Sequence, residues 1–420
     1  MNKFIYTLFI ISLLQSCAAV KLKKDIDNVL NKPFYENQIT GILVYNPDKN
    51  DTIINHNSKK YFTPASTTKI ATLYTAMQTI PEQIPALKYA IVNDTLFIQG
   101  TGDPTLLHPY FKDSTALNFI KGFKNIAVNL TNFHDDKYGP GWAWEDYDYY
   151  YQPERNSLPM YGNIATIYKT SKLNSIPKLF EKDILNINYT KLREEFENTF
   201  YYSPAKNDTI QTPFIIDNSL IQNLLSKATN SKISIANNFP DSNVKTVYGV
   251  VSDSVYKRMM YKSDNFLAEQ LLLVSSATLS DTLSFSKAKE NILTTHLADL
   301  KQKPRWVDGS GLSRYNLFTP ASFVQILTKI YYEQPKERIY SIFPAGGVSG
   351  TLKNWYKSEK EPYIYAKSGS LGNNYSLCGY LITNSGKTLI FSFMNNHYLQ
   401  STSEVKQHMQ AIFENLRDNY

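Results

Sequence analysis

The sequence predicts a mixed α/β fold in which a five-stranded antiparallel sheet is packed between helices and split along the chain by a β-rich insert. Three observations carry this. Two strand-like runs lie near the N-terminus, three more lie near the C-terminus, and residues 87–245 change to short β-like runs with irregular polar sequence. The chain therefore divides into a leader over 1–17, a first part of the main domain over 18–86, the insert over 87–245 and a second part over 246–420. At 420 residues there is ample material for two or three such units.

Met1-Asn2-Lys3 gives a short positive region, and Phe4 to Leu14 is an apolar run too short for a finished membrane span. It ends in Leu14-Gln15-Ser16-Cys17, which resembles the lipobox of bacterial lipoproteins and implies cleavage before Cys17 and a lipid on that residue. A plain secretory signal cut nearby is the other reading, and both export the mature chain. With Cys17 lipidated, Cys378 has no partner, so a disulfide framework is excluded. Cys378 sits in the apolar run 375–382 and reads as a small core residue.

After a short helical segment from Ile26 to Leu30, Gly41 to Asn46 and Thr52 to His56 form a hairpin around the turn 47–51. Pro64 suits the first turn of a helix, which puts Ser66 in that turn and Lys69 beside it on one face. In the insert, Tyr89 to Val92 and Thr95 to Gln99 read as strands, followed by a turn-rich stretch at 100–106. A Tyr/Trp/Asp-dense patch runs from Gly139 to Tyr151, and the sequence stays polar and irregular to about Asn243. Helical spacing returns at Lys257, with Ser263-Asp264-Asn265 in a loop before a further helix through Phe266 and Leu273. Asp308 to Arg314 is a glycine-punctuated loop, and Thr319-Pro320 starts another helix. Tyr363 to Gly369 reads as an edge-type strand, and Tyr375 to Thr383 with Thr388 to Met394 as a hairpin. The terminal helix, Ser403 to Leu416, turns Val405, Met409, Ile412, Phe413 and Leu416 inward. Its stripe has the width of a core-packing face, not a membrane-binding one.

Composition narrows the chemistry. Hydrophobic content of 42% and charged content of 19% exclude a disordered chain. The net charge of +7 is spread without a basic block, which fits anionic polymers such as cell wall or membrane and does not call for nucleic acid. The six histidines are scattered and no Cys/His cluster has ligand spacing, so neither a metal nor another cofactor is expected.

Ser66 and Lys69 place a hydroxyl next to an amine at a helix start, a nucleophile and a base whose pKa the helix dipole would lower. The spacing alone is weak, because Ser-x-x-Lys recurs at Ser175/Lys178, Ser284/Lys287, Ser286/Lys289 and Ser403/Lys406. What distinguishes the first copy is that Ser263-Asp264-Asn265 and Lys367-Ser368-Gly369 follow it in order, the signature of class A β-lactamases and penicillin-binding proteins with Ser368 in place of the more usual threonine. The chain resembles the low-molecular-mass class C penicillin-binding proteins, the D-alanyl-D-alanine carboxypeptidase and DD-endopeptidase family. The stretches 102–106, 141–146, 262–269 and 308–314 match that family as well.

The resemblance implies a β-lactamase/transpeptidase-like domain, an acyl-enzyme on Ser66, Lys69 as base, Ser263 as proton relay, and Asn265 holding Lys69 and the substrate amide. It implies that Lys367 and Ser368 bind the terminal carboxylate, that Lys367 keeps Lys69 deprotonated, and that the N–H groups of Ser66 and Ser370 beside Gly369 form an oxyanion hole. Asp146 would accept the ammonium of the stem-peptide diamino acid, or else cap a turn beside Trp144; Arg314 would pair with a substrate carboxylate, or else brace its loop. Gly372 stands where the family often has a polar residue. The implied partners are peptidoglycan stem peptides and β-lactams, with the membrane reached only through a lipid on Cys17, in the periplasm. Two rivals remain. A β-lactamase lacks support because no Glu-x-x-Leu-Asn segment lies between Ser66 and Ser263. A non-catalytic wall-binding or β-lactam-sensing module would not need the full set of catalytic side chains.

Overall fold

A computed structural model describes residues 22, 24–205 and 207–420. The leader and its Cys17 lie outside the described residues. Strands β1 (Ile39–Asn46) and β2 (Asp51–His56) form the N-terminal hairpin. Strands β3 (Gln83–Val92), β4 (Thr95–Gly100), β5 (Asn125–Asn129), β6 (Ile164–Lys169) and β7 (Leu173–Ile176) follow. Next come β8 (Ile184–Leu185), β9 (Phe200–Tyr201), β10 (Ile210–Pro213), β11 (Lys232–Ala236) and β12 (Lys245–Val251). Strands β13 (Ile364–Leu371), β14 (Asn374–Ile382) and β15 (Thr388–Asn396) close the set. The principal helices are α1 (Lys69–Thr79), α2 (Thr115–Lys121), α3 (Asn218–Thr229), α4 (Ser252–Lys262) and α5 (Asn265–Leu279). They continue with α6 (Phe285–Thr294), α7 (Pro320–Glu333), α8 (Lys336–Ile342) and α9 (Thr402–Asn419).

The main sheet is five-stranded and antiparallel throughout, in the order β13-β14-β15-β1-β2. Its central strands are buried on both faces because helices cover both. Alternation along the strands assigns the two layers. Cys378, Tyr380, Ile390 and Met394 pack with Leu73 of α1 and Phe323 and Leu327 of α7. Leu377, Phe391 and Phe393 pack with Ile412 and Phe413 of α9. The latter helix starts with a capping box in which Ser401 and Glu404 satisfy each other's backbone N–H. Strand β13 lies at the sheet edge, as its sequence suggested.

A second five-stranded sheet, β11-β5-β4-β3-β12, occupies the middle of the chain. It begins at Gln83 and ends at Val251, a few residues outside the 87–245 stretch. Strands β4, β5 and β11 run parallel while β3 and β12 are antiparallel. Helices α2 and α3 contribute Ile120, Ile221, Leu224 and Leu225 to its core. Reading the sequence up to Asn243 as irregular therefore missed α3. Its Asp217 cap accepts from Leu220 N–H and its Asn230 ends it in the left-handed region. Smaller sheets, β10-β6-β7 and β8-β9, complete this part.

The two parts meet through a polar seam along α5. Gln270 donates to the carbonyls of Gly102 and Asn156 at 2.8 and 2.9 Å and accepts from Asn156 N–H at 3.3 Å. The seam runs one residue from Glu269 and five from Asn265, so whatever fixes the insert also fixes one wall of the cleft. Among the described residues no helix is long and apolar enough to cross a membrane.

Candidate active site

Ser66 sits on a short 3-10 turn, Ala65–Thr68, that runs directly into α1. The expected helix start is thus a tighter turn, whose threefold period eclipses Ser66 and Lys69 more closely than an α-helix would. The turn is held by Thr67 and Thr68, whose hydroxyls donate to the carbonyls of Pro64 and Ala65 at 2.7 and 2.9 Å. Ala65 adopts a positive φ of 51°, a strained conformation for a residue with a side chain. Two glycines from distant segments grip it. A Cβ on Gly311 would lie 1.9 Å from the Ala65 carbonyl, and one on Gly369 would lie 2.4 Å from the Pro64 carbonyl and 2.9 Å from Ser66 N. Only bare backbone lets β13 and the 308–314 loop close on the turn.

Lys69 is fully buried, yet its Nζ has partners on three sides: Ser66 Oγ at 2.9 Å, Asn265 Oδ1 at 2.7 Å and the Ser310 carbonyl at 2.6 Å. The last two oxygens can only accept. A neutral amine would spend its two N–H bonds on them and turn its lone pair to the Ser66 hydroxyl. Burial pushes the Lys69 ammonium down to about 8, against the raising effect of Asp308, Glu269 and Asp264. Burial, and not the Lys367 charge or the helix end, is the leading cause. Lys367 is itself buried and its pKa lies well below the usual lysine range, first through burial and then through Lys69.

Ser263 is the left-handed cap of α4, with φ 53°, and α5 restarts after Asp264, whose carboxylate accepts from Leu267 N–H. The break turns Ser263 toward β13, where Lys367 Nζ donates to its Oγ at 2.9 Å and to the Ser368 carbonyl at 2.6 Å. Asn265, the first residue of α5 after the same break, donates through Nδ2 to the Tyr151 carbonyl at 3.0 Å. Ser368 Oγ lies 2.6 Å from Thr351 Oγ1, and Ser370 is exposed on the edge strand. Ser66, Lys69, Ser263, Asn265, Lys367, Ser368 and Gly369 are thereby joined by direct contacts, with Ser370 next along the strand.

The other two candidates stand at the rim. Asp146, half-buried on a 3-10 turn, is hydrogen-bonded by the Tyr151 hydroxyl and so lies one residue's reach from Asn265. Arg314 is exposed and donates to the Gly372 carbonyl at 3.4 Å, linking its loop to the β13–β14 turn. The Cys378 thiol, buried behind the site 3.1 Å from Ser392 Oγ, is pushed up to about 12 by burial.

Sequence reading passed over the groups that shape the 308–316 loop. Asp308 accepts from Gly311 N, Ser313 N and Asn316 Nδ2 at 2.7 Å and from Trp142 Nε1 at 2.9 Å. Thr351, which adds a second hydroxyl beside Ser368, was also missed; its only sequence signal is a glycine before it.

The profile of the D-Ala-D-Ala carboxypeptidase 3 (S13) family matches residues 22–214 and 251–418. The D-alanyl-D-alanine carboxypeptidase DacB of Haemophilus influenzae is 24% identical over 93% of this chain and 92% of its own length. The crystal structure of penicillin binding protein 4 (dacB) from Haemophilus influenzae superposes with a TM-score of 0.72 at 20% identity, covering 94% of this chain and 99% of that one. A predatory peptidoglycan endopeptidase from Bdellovibrio bacteriovorus shares the fold at a TM-score of 0.51 and 15% identity, over 91% and 92% of the two chains. With the family profile spanning both parts of the main sheet and most of the insert, the chain belongs to the D-Ala-D-Ala carboxypeptidase 3 (S13) family.

Proposed function

We propose that this protein is a serine-type D-Ala-D-Ala carboxypeptidase, or DD-endopeptidase, acting on peptidoglycan stem peptides and inhibited by β-lactams. The observation that carries it is the position of Lys69 Nζ, 2.9 Å from Ser66 Oγ and held by two obligate acceptors. Ser66 Oγ attacks the carbonyl carbon of the D-Ala-D-Ala bond while its proton passes to the Lys69 lone pair. The oxyanion forms against the N–H groups of Ser66 and Ser370; the close approach of Gly369, where a Cβ would lie 2.9 Å from Ser66 N, supports that pairing of strand and turn. The C–N bond then breaks as Ser263 relays that proton, giving its own to the leaving amine and receiving the one Lys69 took from Ser66, with Lys367 at 2.9 Å supporting the hydroxyl. Water hydrolyses the ester and restores Ser66. Carboxypeptidase and endopeptidase action share this acylation and differ only in which amine leaves.

Lys367 and Ser368 receive the terminal carboxylate, Asn265 the substrate amide, and Asp146 the free ammonium of the diamino acid. Residues 18–86 and 246–420 form the catalytic unit, with 87–245 as the wall that presents Asp146. The Leu14-Gln15-Ser16-Cys17 stretch supports an exported, periplasmic lipoprotein anchored through Cys17.

The test is incubation of the purified protein and its Ser66→Ala variant with fluorescent penicillin and with muropeptides. Wild type should be labelled and release D-Ala or split cross-links, and Ser66→Ala should do neither. Absence of labelling and turnover in wild type, or equal behaviour of the two proteins, would sink the proposal. Rapid nitrocefin turnover would move the reading to a β-lactamase.

A further inference from the structure

Behind Lys69 lies a second charged layer that reaches into the insert. Glu269 of α5 is buried, and its Oε1 accepts from Ser310 N–H at 2.7 Å, while the carbonyl of the same Ser310 accepts from Lys69 at 2.6 Å. Its other oxygen, Oε2, lies 3.3 Å from Nη1 of Arg155, a residue of the insert that is only 3% exposed. Arg155 is fixed in turn by the carbonyls of Asp136 and Tyr138, by Asp135 at 4.0 Å and by the face of Trp142. The path Arg155–Glu269–Ser310–Lys69 is thus continuous and dry. We propose that Glu269 is a positioning residue that fixes the Ser310 carbonyl on Lys69 and sets the basicity of Lys69, with the insert's Arg155 holding Glu269 in place.

The inference rests on the assignment of Ser66 and Lys69 as nucleophile and base. The charged groups around Lys69 are Glu269 and Asp264 at the head of α5, Asp308 on the loop, and Lys367 on β13. Those around Glu269 are Asp308 and Arg155. The two carboxylates Asp308 and Glu269 differ in what they do. Asp308 has its acceptor sites filled by the N–H groups of its own loop, by Asn316 and by Trp142, so it shapes the loop. Glu269 divides its oxygens between that loop and a cation from another part of the fold. A negative charge two hydrogen bonds from Lys69 favours its protonated form and so opposes the burial that drives the proton off. Such a charge keeps the amine basic enough to take a serine proton, and its strength depends on the docked insert.

The experiment is the pH profile of acylation by fluorescent penicillin, measured on the full chain as wild type, Glu269→Gln and the double variant Arg155→Gln/Glu269→Gln. Glu269→Gln keeps an oxygen for Ser310 N–H but removes the charge, so the acid limb should move to lower pH by about one unit. The double variant removes the closely paired charges together, leaving only the longer 4.0 Å contact of Asp135 without its cation, and should shift in the same direction by less, which keeps the test open if the single variant does not fold. A limb that stays at the wild-type pH in folded, acylated protein overturns the inference. A lower plateau rate with no shift overturns it too, since that marks structural support alone. Failure of wild type to be acylated at Ser66 instead overturns the assignment on which it rests.

Discussion

At the scale of residues, the decisive quantity is the proton on Lys69. Its pKa of about 8 makes the neutral base dominant only above that pH, so the acylation rate should rise as pH increases through about 8 and then level off. Stopped-flow labelling between neutral and alkaline pH would show it, and a rate falling over that range would contradict it. The same shift bears on stability. The folded value lies below the ordinary 10.5, so between about 8 and 10.5 the unfolded chain binds more protons and stability rises with pH across that window. Lys69→Met should cut acylation by about 10²–10⁴-fold, the usual worth of a positioned general base. Gly369→Ala tests the grip on the nucleophile. Its Cβ would sit 2.4 Å from the Pro64 carbonyl, and relieving that contact moves the turn by about 1 Å, a misplacement that costs about 10²-fold in rate. Labelling kinetics together with the melting temperature would separate this loss from unfolding.

At the scale of elements, most of what each piece does can be stated as a cap, a stripe or a turn. Ser401→Ala removes half of the capping box on α9 and should lower stability by about 1 kcal/mol, read from denaturant midpoints. Phe413→Ala, on the inner face of that helix against Phe391 and Phe393, should cost about 3–5 kcal/mol. The stripe with Phe413 was legible in the sequence as a local period, whereas placing the helix start at Ser403 missed the Ser401 cap. The loop after β4 carries a different kind of information. Asp103 is buried against Thr105 and near Asp113, and burial pushes its carboxyl up to about 7. The folded chain therefore holds an extra proton between 3.8 and about 7, and stability falls as pH rises through that window. Asp103→Asn should be more stable than wild type above pH 7, on the order of 4 kcal/mol, with the gain lost in acid. Melting curves at several pH values would check the crossover. Nothing in the residues around Asp103 announces that burial, since one neighbour is Gly249 of β12, far along the chain, where an added Cβ would lie 3.8 Å from the carboxylate.

At the scale of the whole molecule, the proposed active site is a meeting of segments that lie far apart in sequence. Ser66 comes from the first part of the chain, Ser263 and Asn265 from a helix break, and Lys367 from an edge strand. The insert closes the fourth side through Tyr151, Arg155 and the Gln270 seam. Gln270→Ala strips partners from the Gly102 carbonyl and from both backbone groups of Asn156 in a dry interface. The loss should be about 2–4 kcal/mol, because unsatisfied buried groups cost more than a lost contact is worth. Acylation should fall with it if the seam holds the wall of the cleft, and a stable but slow variant would locate the effect there.

The sequence by itself determined the five strands of the main sheet, the helix that follows Pro64, the break before Asn265 and the order of the motifs. The elements among these are written in spacing over fewer than about ten residues, where period and turn chemistry act, while the order of the motifs is read along the whole chain. It also separated Ser66 from the other Ser-x-x-Lys copies, by the company it keeps further along the chain. Tertiary structure alone decided what those residues feel. Ala65 is strained and Gly369 indispensable only because a strand and a loop from elsewhere press on the turn. Lys69 loses its proton near 8 because the assembled fold takes water away from it, a consequence of burial that no local pattern carries. The feature first read as a lysine discharged by a neighbouring lysine and a helix end is, in the folded protein, a lysine discharged mainly by desolvation and recharged in part by carboxylates.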